Sequence, residues 1–238
     1  MIYAGILAAG IGARMHRQDM PKPFLPLGEK PIIIHTLEQF FIHPRIKKIV
    51  IAVPESWKLF AEDLIGKYDT METEVIVIAG GENKTISTQM IVDYIVSFWG
   101  VQNDDILLTH DAVRPFITQR IIDDNIESSL RHGASSTVMT TNDTIVVSQD
   151  GIILSEVPSK NIMFAEQTPQ TFNLKTLQAV FESAAKNEIS LSSETELPRL
   201  YIQQGHSMNL VEGEYFNMKI INPHDLEIAL ALLKEKKQ

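Results

Sequence analysis

Arg14 and Lys22 bracket a glycine-containing loop, Leu7-Ala8-Ala9-Gly10-Ile11-Gly12-Ala13-Arg14-Met15, which runs on to Pro21-Lys22-Pro23. Small residues and glycines let backbone N–H groups approach an anion closely, and two cations on one loop neutralise a phosphate chain. The chemistry suggested is capture of nucleotide phosphates. A dinucleotide-binding fingerprint fails here: Met15 stands where the third glycine belongs, and Glu29, near the spacing of the ribose-binding acid, precedes a helix. A Walker A loop fails too, because no Gly-Lys-Ser/Thr follows. An ordinary strand-to-helix turn also uses glycine, but it has no need of both cations.

Two further loops carry suitable residues. In Gly80-Gly81-Glu82-Asn83-Lys84-Thr85-Ile86-Ser87, paired glycines allow close approach to a planar ligand, and Lys84 and Ser87 can donate to a base or a phosphate. The alternative is a turn with Thr85 or Ser87 capping the next helix. In His110-Asp111-Ala112-Val113-Arg114-Pro115, an acid at a strand end beside a phosphate loop suits Mg²⁺, which takes one or two carboxylates plus phosphate oxygens. Arg114 can grip a second anionic substrate bidentately, or it can simply pair with Asp111. His110 reads as structural. His16, His35, His43, His132, His206 and His224 show no metal-ligand spacing. Asp143-Thr144, Lys160, Thr168-Pro169-Gln170 and Lys219 are weak signals taken singly.

The elements that must position these loops alternate. Strands are expected at 2–8, 48–53, 74–79, 105–110 and 136–140. Helices are expected at 31–42, at 56–68 with Ser56 as N-cap, and at 85–98 and 118–132. Alternation of this kind predicts an α/β, Rossmann-like, mostly parallel sheet with helices on both faces, and ligands beyond the carboxyl ends of the strands. The loops 9–23, 80–87 and 111–115 each follow a strand, so they converge on one edge. After Thr140 the rhythm breaks. Segments 144–147 and 152–157 flank Asp150-Gly151, a hairpin signal. Helices at 174–187, 195–204 and 223–236 and short strands at 208–212 and 218–221 complete the pattern. With no repeat or linker, residues 1–238 read as one domain, and the hairpin as a protruding excursion from it.

Composition narrows the function. The 238 residues carry a formal net charge of −9, which argues against sequence-independent nucleic-acid binding but not against a nucleotide substrate held by local cations. The absence of cysteine removes disulfides, thiol nucleophiles and cysteine metal sites. No apolar run is long enough to span a membrane and no secretory leader is recognisable, which makes cytoplasm the expected location.

Taken together, Leu-Ala-Ala-Gly-x-Gly-x-Arg-Met, Pro-Lys, Ala-Gly-Gly, His-Asp-Ala-x-Arg-Pro, Asp-Thr and Thr-Pro-Gln, in that order along essentially the whole chain, resemble the sugar/polyol-phosphate cytidylyltransferases. The resemblance implies a nucleotidyltransferase (GT-A-like) sheet and transfer of a cytidylyl group from CTP, with Mg²⁺, to a polyol phosphate. Arg14, Lys22 and Lys219 would be catalytic. Leu7, Ala8, Ala9, Gly10, Gly81, Glu82, Lys84, Ser87 and Ala112 would frame the nucleotide, and Asp111 would hold the metal. Arg114, Thr144, Lys160, Thr168 and Thr195 would meet the acceptor. Lys160 and Thr168 would come from the partner subunit of a homodimer, through an arm at 141–165.

Within the family, Met1–Leu7, His110–Phe116 and Gly213–Lys219 look closer to the D-ribitol-5-phosphate branch, which serves teichoic-acid-type wall polymers. The sister branch, acting on 2-C-methyl-D-erythritol 4-phosphate for isoprenoid precursors, more usually has Ala at the place of Val113. The chain departs from the family pattern at Lys84 and Lys160, usually Arg, and at Pro23, usually Gln. Readings of other classes are a nicotinamide-dependent dehydrogenase, opposed by Met15, and a nucleotide-binding module without turnover, opposed by Asp111 and Lys22.

Overall fold

The computed structural model describes residues 1–10, 20–68, 73–192 and 195–235. The elements run β1 (Ile2–Leu7), β2 (Pro26–Leu27), β3 (Lys30–Pro31), α1 (Ile32–Phe41), β4 (Ile46–Val53), α2 (Lys58–Tyr68), β5 (Glu74–Ala79), α3 (Lys84–Trp99), β6 (Ile106–Asp111), α4 (Gln119–His132), β7 (Ala134–Thr140), β8 (Phe164–Asn173), α5 (Leu174–Lys186), α6 (Leu197–Gln203), β9 (Asn209–Glu212) and α7 (Pro223–Glu235). Seven strands form one sheet in the order β5-β4-β1-β6-β8-β7-β9, while β2 and β3 make a separate small pair. Strands β5, β4, β1 and β6 are parallel, as is β7 with β9. β8 runs antiparallel to both its neighbours.

Apolar strand residues on the two faces explain the layering. Ile6, Ile49, Ile51 and Leu108 pack under α1, α2 and α4. Val50, Ala52, Leu107 and Phe172 pack under α3, α5 and α6. Strands buried on both faces read as continuous β-branched runs, as in Ile49-Val50-Ile51. Each such side chain contributes roughly 1.5–3 kcal/mol on burial. A third cluster seats α7 against Leu27, Phe116 and Ile220.

Four expectations change. β8 was not expected; its hydrogen bonds are tertiary, and Pro169, preceded by a cis peptide bond, lies within it. Residues 218–221 do not form a strand: Ile220 makes one backbone bond, N–H to the Val113 carbonyl at 2.9 Å, and drops its side chain under α7. Ser56 does not cap α2, because it lies inside a 3₁₀ turn over Glu55–Trp57. The hairpin is reduced to one antiparallel bridge, Val147 to Glu156. Its turn chemistry is present: the Asp150 carboxylate accepts from the N–H groups of Ile152 and Ile153, and Gly151 takes a positive φ. Ile152 is 88% exposed at the tip of this excursion. Among the described residues, no helix is long and apolar enough to cross a membrane.

Candidate active site

β1, β5 and β6 end on the same edge, and their following loops line a cavity of about 460 Å³. This is where parallel α/β sheets hold ligands, since chain connections leave β1 towards β4 on one side and reach β6 on the other. In the register Leu7 pairs with Asp111, and the Ala112 N–H donates to the Leu7 carbonyl at 3.1 Å. That pairing fixes the Asp111 carboxylate beside the start of the first loop. Leu7, Ala8, Ala9 and Gly10 form one wall, joined by Lys22 and Pro23. Arg14 lies outside the described residues.

The opposite wall is the turn into α3. Gly80 extends the β4–β5 pairing by donating to the Val53 carbonyl at 2.7 Å. A Cβ on Gly80 would meet Ala9 Cβ at 2.4 Å, and one on Gly81 would meet Ile86 Cγ2 at 2.2 Å. Both positions therefore require glycine for close approach. The helix cap is neither Thr85 nor Ser87. Asn83 caps α3, its side-chain oxygen accepting from the Ile86 N–H at 2.9 Å. The Ser87 hydroxyl instead folds the turn, accepting from the Gly81 N–H at 3.1 Å and donating to the Asn83 carbonyl at 2.8 Å, so its proton is not turned to a ligand. Asn83 also donates to the Leu191 carbonyl, and Thr85 to the Thr195 carbonyl, which draws Thr195 and Glu196 to the cavity rim. The positive end of α3 therefore faces the cavity, a favourable setting for phosphate.

Between the walls lies a cation cluster built on one carboxylate. Asp111, 3% exposed, has Lys84 Nζ at 2.7 Å on one oxygen, with Arg114 Nε and Lys219 Nζ each at 3.2 Å on the other. Burial would raise the Asp111 carboxyl, but Lys84, Lys219 and Arg114 outweigh it and hold the group well below the usual carboxylate range. Burial likewise works against the Lys84 ammonium, and its close contact with Asp111 wins, leaving Lys84 above the ordinary lysine value. Lys219 is less exposed and farther from Asp111. Burial, helped by the charge of Lys84, pushes it down to about 8. Lys22 Nζ lines the same cavity and donates to the Ile221 carbonyl at 2.9 Å.

Several expected site residues stand elsewhere. Ala112 is fully buried and not on the cavity wall; its N–H bonds Leu7 and its carbonyl accepts from Thr36 Oγ1. Arg114 sits behind Asp111, its Nη1 donating to the Asn217 carbonyl at 2.9 Å, so the Asp111–Arg114 pair exists and Arg114 reaches the cavity only through Asp111. Thr168 is not on the arm. It lies buried in β8, accepting from the Asp111 N–H at 3.1 Å. Thr144 and Lys160 are exposed on the 141–165 excursion, away from the cavity, with Lys160 Nζ on the Asn142 carbonyl. Glu82, Lys84, Ser87, Thr195 and Lys219 do line the cavity, and so do Asn83, Thr85, Val113, Glu196 and Ile221, which were not expected. Adjacency to Lys84, Thr195 and Arg114 was the available signal for most of these.

The donor set does not fit a magnesium ion held by Asp111. Both carboxylate oxygens are engaged by cations, which a dication would have to displace against their repulsion. Among the described residues, no three carboxylate or imidazole groups converge.

The profile of the family described as 2-C-methyl-D-erythritol 4-phosphate cytidylyltransferase (IspD) matches residues 2–235. The structure is similar to 4-diphosphocytidyl-2C-methyl-D-erythritol synthase from Anaerococcus prevotii, with a TM-score of 0.80, 24% identity and 98% of each chain covered. The 2-C-methyl-D-erythritol 4-phosphate cytidylyltransferase of Thermus thermophilus gives a TM-score of 0.73 at 24% identity, covering 98% of this chain and 100% of that one. The Francisella tularensis enzyme of the same name gives 0.77 at 26%, covering 96% of this chain and 97% of that one. The mostly parallel sheet, the cation-lined cavity at its carboxyl edge and the profile match along almost the whole sequence agree, and the chain belongs to the IspD family of cytidylyltransferases.

Proposed function

We propose that this chain joins the cytidylyl group of CTP to a polyol phosphate, releasing pyrophosphate. The observation that carries this reading is the cation cluster of Lys22, Lys84 and Lys219 around a single cavity in a chain of net charge −9. A phosphate monoester is largely dianionic at neutral pH, its second pKa being about 6. One of its oxygens attacks the α-phosphorus of CTP; the bond from that phosphorus to the bridging oxygen of the β-phosphate breaks, and pyrophosphate leaves with the electron pair. No general base is needed. The barrier is the approach of two polyanions, so charge neutralisation and in-line positioning carry the catalysis.

In this reading Lys22 and Arg14 hold the triphosphate, and Lys219 stabilises the reacting phosphates. Leu7 to Gly10, with Gly81, Glu82 and Ser87, frame the nucleoside. Thr195 and Lys219 meet the acceptor, and Arg114 acts by steadying Asp111. Residues 1–238 work as one domain. The excursion 141–165 is a dimerisation arm that delivers Thr144 and Lys160 to the partner's site, supported by the exposed Ile152, Ile153, Leu154 and Ile162 that a second copy would cover.

The family profile and the named structural relatives support 2-C-methyl-D-erythritol 4-phosphate as acceptor. A second reading, D-ribitol 5-phosphate, rests on the resemblance of Met1–Leu7, His110–Phe116 and Gly213–Lys219 to that branch, with Val113, on the cavity lining, at a place where the sister branch more usually has Ala. Pyrophosphate release from CTP with magnesium is measured with each acceptor in turn. Release with neither overturns the proposal, and the preferred acceptor decides between the branches.

A further inference from the structure

We propose that His110, through Thr168, is a positioning residue that sets the geometry of the cation cluster; this rests on the cytidylyl-transfer reading. His110 is fully buried and is not among the described residues that line the candidate cavity. Its Nε2 lies 3.1 Å from the Arg114 carbonyl, an atom that can only accept, so Nε2 carries the proton. In the neutral ring Nδ1 is then an acceptor, and it lies 3.0 Å from Thr168 Oγ1, which donates to it. The lone pairs of that hydroxyl are left for the Asp111 N–H at 3.1 Å. The direction of every bond in this chain is thus fixed by one tautomer.

The same chain reaches the third cationic segment. Asn217, fully buried, donates to the Thr168 carbonyl at 2.9 Å, and Arg114 donates to the Asn217 carbonyl. Lys219 follows two residues later. The Asp111 backbone is therefore pinned to the Thr168 hydroxyl and the Arg114 backbone to the His110 imidazole, while the segment leading to Lys219 is tied to the backbone carbonyl of the same Thr168. Carboxylate-to-cation spacings near 3 Å depend on such support, because small displacements weaken electrostatic positioning steeply.

The test is a double-mutant cycle. T168V keeps the side-chain shape and removes both hydroxyl bonds, T168S keeps the hydroxyl, and H110F keeps a ring beside Phe40, whose centroid lies 5.4 Å away. With wild-type enzyme turning over, T168V is expected to lower kcat/KM for CTP about tenfold or more, and T168S to recover most of that loss. The H110F/T168V double variant should fall no further than the worse single, because both changes break one relay. Multiplying losses, or a T168V defect confined to the acceptor KM, means that Thr168 touches substrate independently and overturns the proposal.

Should H110F not fold, the T168V and T168S pair decides alone. The same variants are titrated calorimetrically with inorganic pyrophosphate in magnesium buffer, which reads the cluster without turnover. Tenfold weaker binding by T168V, restored in T168S, supports the relay even if neither acceptor is used, in which case only the functional reading fails. Equal binding by all three, or none by wild type, overturns the relay.

Discussion

Lys84 and Lys219 meet across a single carboxylate, Lys84 Nζ 2.7 Å from one oxygen of Asp111 and Lys219 Nζ 3.2 Å from the other. Arg114 joins Lys219 on the second oxygen, so one negative charge organises three positive ones. D111N keeps the volume and deletes that charge. Breaking a buried pair costs about 3–5 kcal/mol, and solvent contact at both lysines reduces the expected loss to about 2 kcal/mol at pH 7. Urea unfolding checks this. Added pyrophosphate should then raise the melting temperature of D111N more than that of wild type, because it replaces the missing anion.

Lys22 lies on a short 3₁₀ turn, Lys22–Phe24, whose anchors are the buried side chains of Pro23 and Phe24. K22A should therefore lower kcat by about 10²–10³, the scale of losing one electrostatic donor to the transition state. The urea midpoint should move little. Near-wild-type turnover at saturating substrates would remove Lys22 from the transition state.

The depressed Lys219 gives a pH signature. In the free enzyme its charge is lost as pH rises through about 8, and with it the binding of an anionic acceptor. The acceptor's own second ionisation, near pH 6, supplies the acid limb. A plot of kcat/KM for the acceptor should be bell-shaped, with limbs at about 6 and about 8. K219R, charged at all these pH values, should remove the alkaline limb while changing the rate at the optimum. The folded pKa of Lys219 lies below its unfolded value, so its charged form is disfavoured in the fold. Stability should thus rise slightly between pH 8 and 10 in wild type and not in K219R.

Gly80 supports the nucleoside wall by contact with Ala9. G80A would place a methyl carbon 2.4 Å from Ala9 Cβ and 3.2 Å from Ala52 Cβ. Ala52 is held in the sheet and Ala9 is in a loop, so Ala9 should yield. The expected result is a KM for CTP raised about tenfold with a smaller change in the acceptor KM, measured by varying each substrate separately.

The parallel half of the sheet was legible because each strand carries a run of three or more apolar residues and a segment of helical periodicity follows it. Glu74–Ala79 and Leu174–Lys186 are read almost to the residue. β8 was not, because Gln167, Thr168 and Thr171 are polar residues that the fold buries, which leaves no apolar alternation, and a proline mid-run argues against a central strand. Lys22 and Asp111 could be chosen as charges in suggestive places, whereas Lys219, a weak signal taken singly, was picked out only by the family resemblance. The Asp111–Arg114 pair was one of two readings open from the local sequence; that the Arg114 guanidinium also anchors on the Asn217 carbonyl, over a hundred residues distant, no local pattern encodes.

β8 also orders the assembly of the molecule in time. The strands complete by Asp111 end at the open edge of β6, which only β8 later covers, and β7 and β9 connect to them only through β8. During synthesis the cavity floor is therefore present early while its Lys219 side is missing until nearly the whole chain has emerged. Between the emergence of Asp111 and that of Phe164 a growing chain carries half a phosphate site and an unpaired strand edge, so it is at this stage, well before the enzyme can act, that its handling by chaperones should matter most.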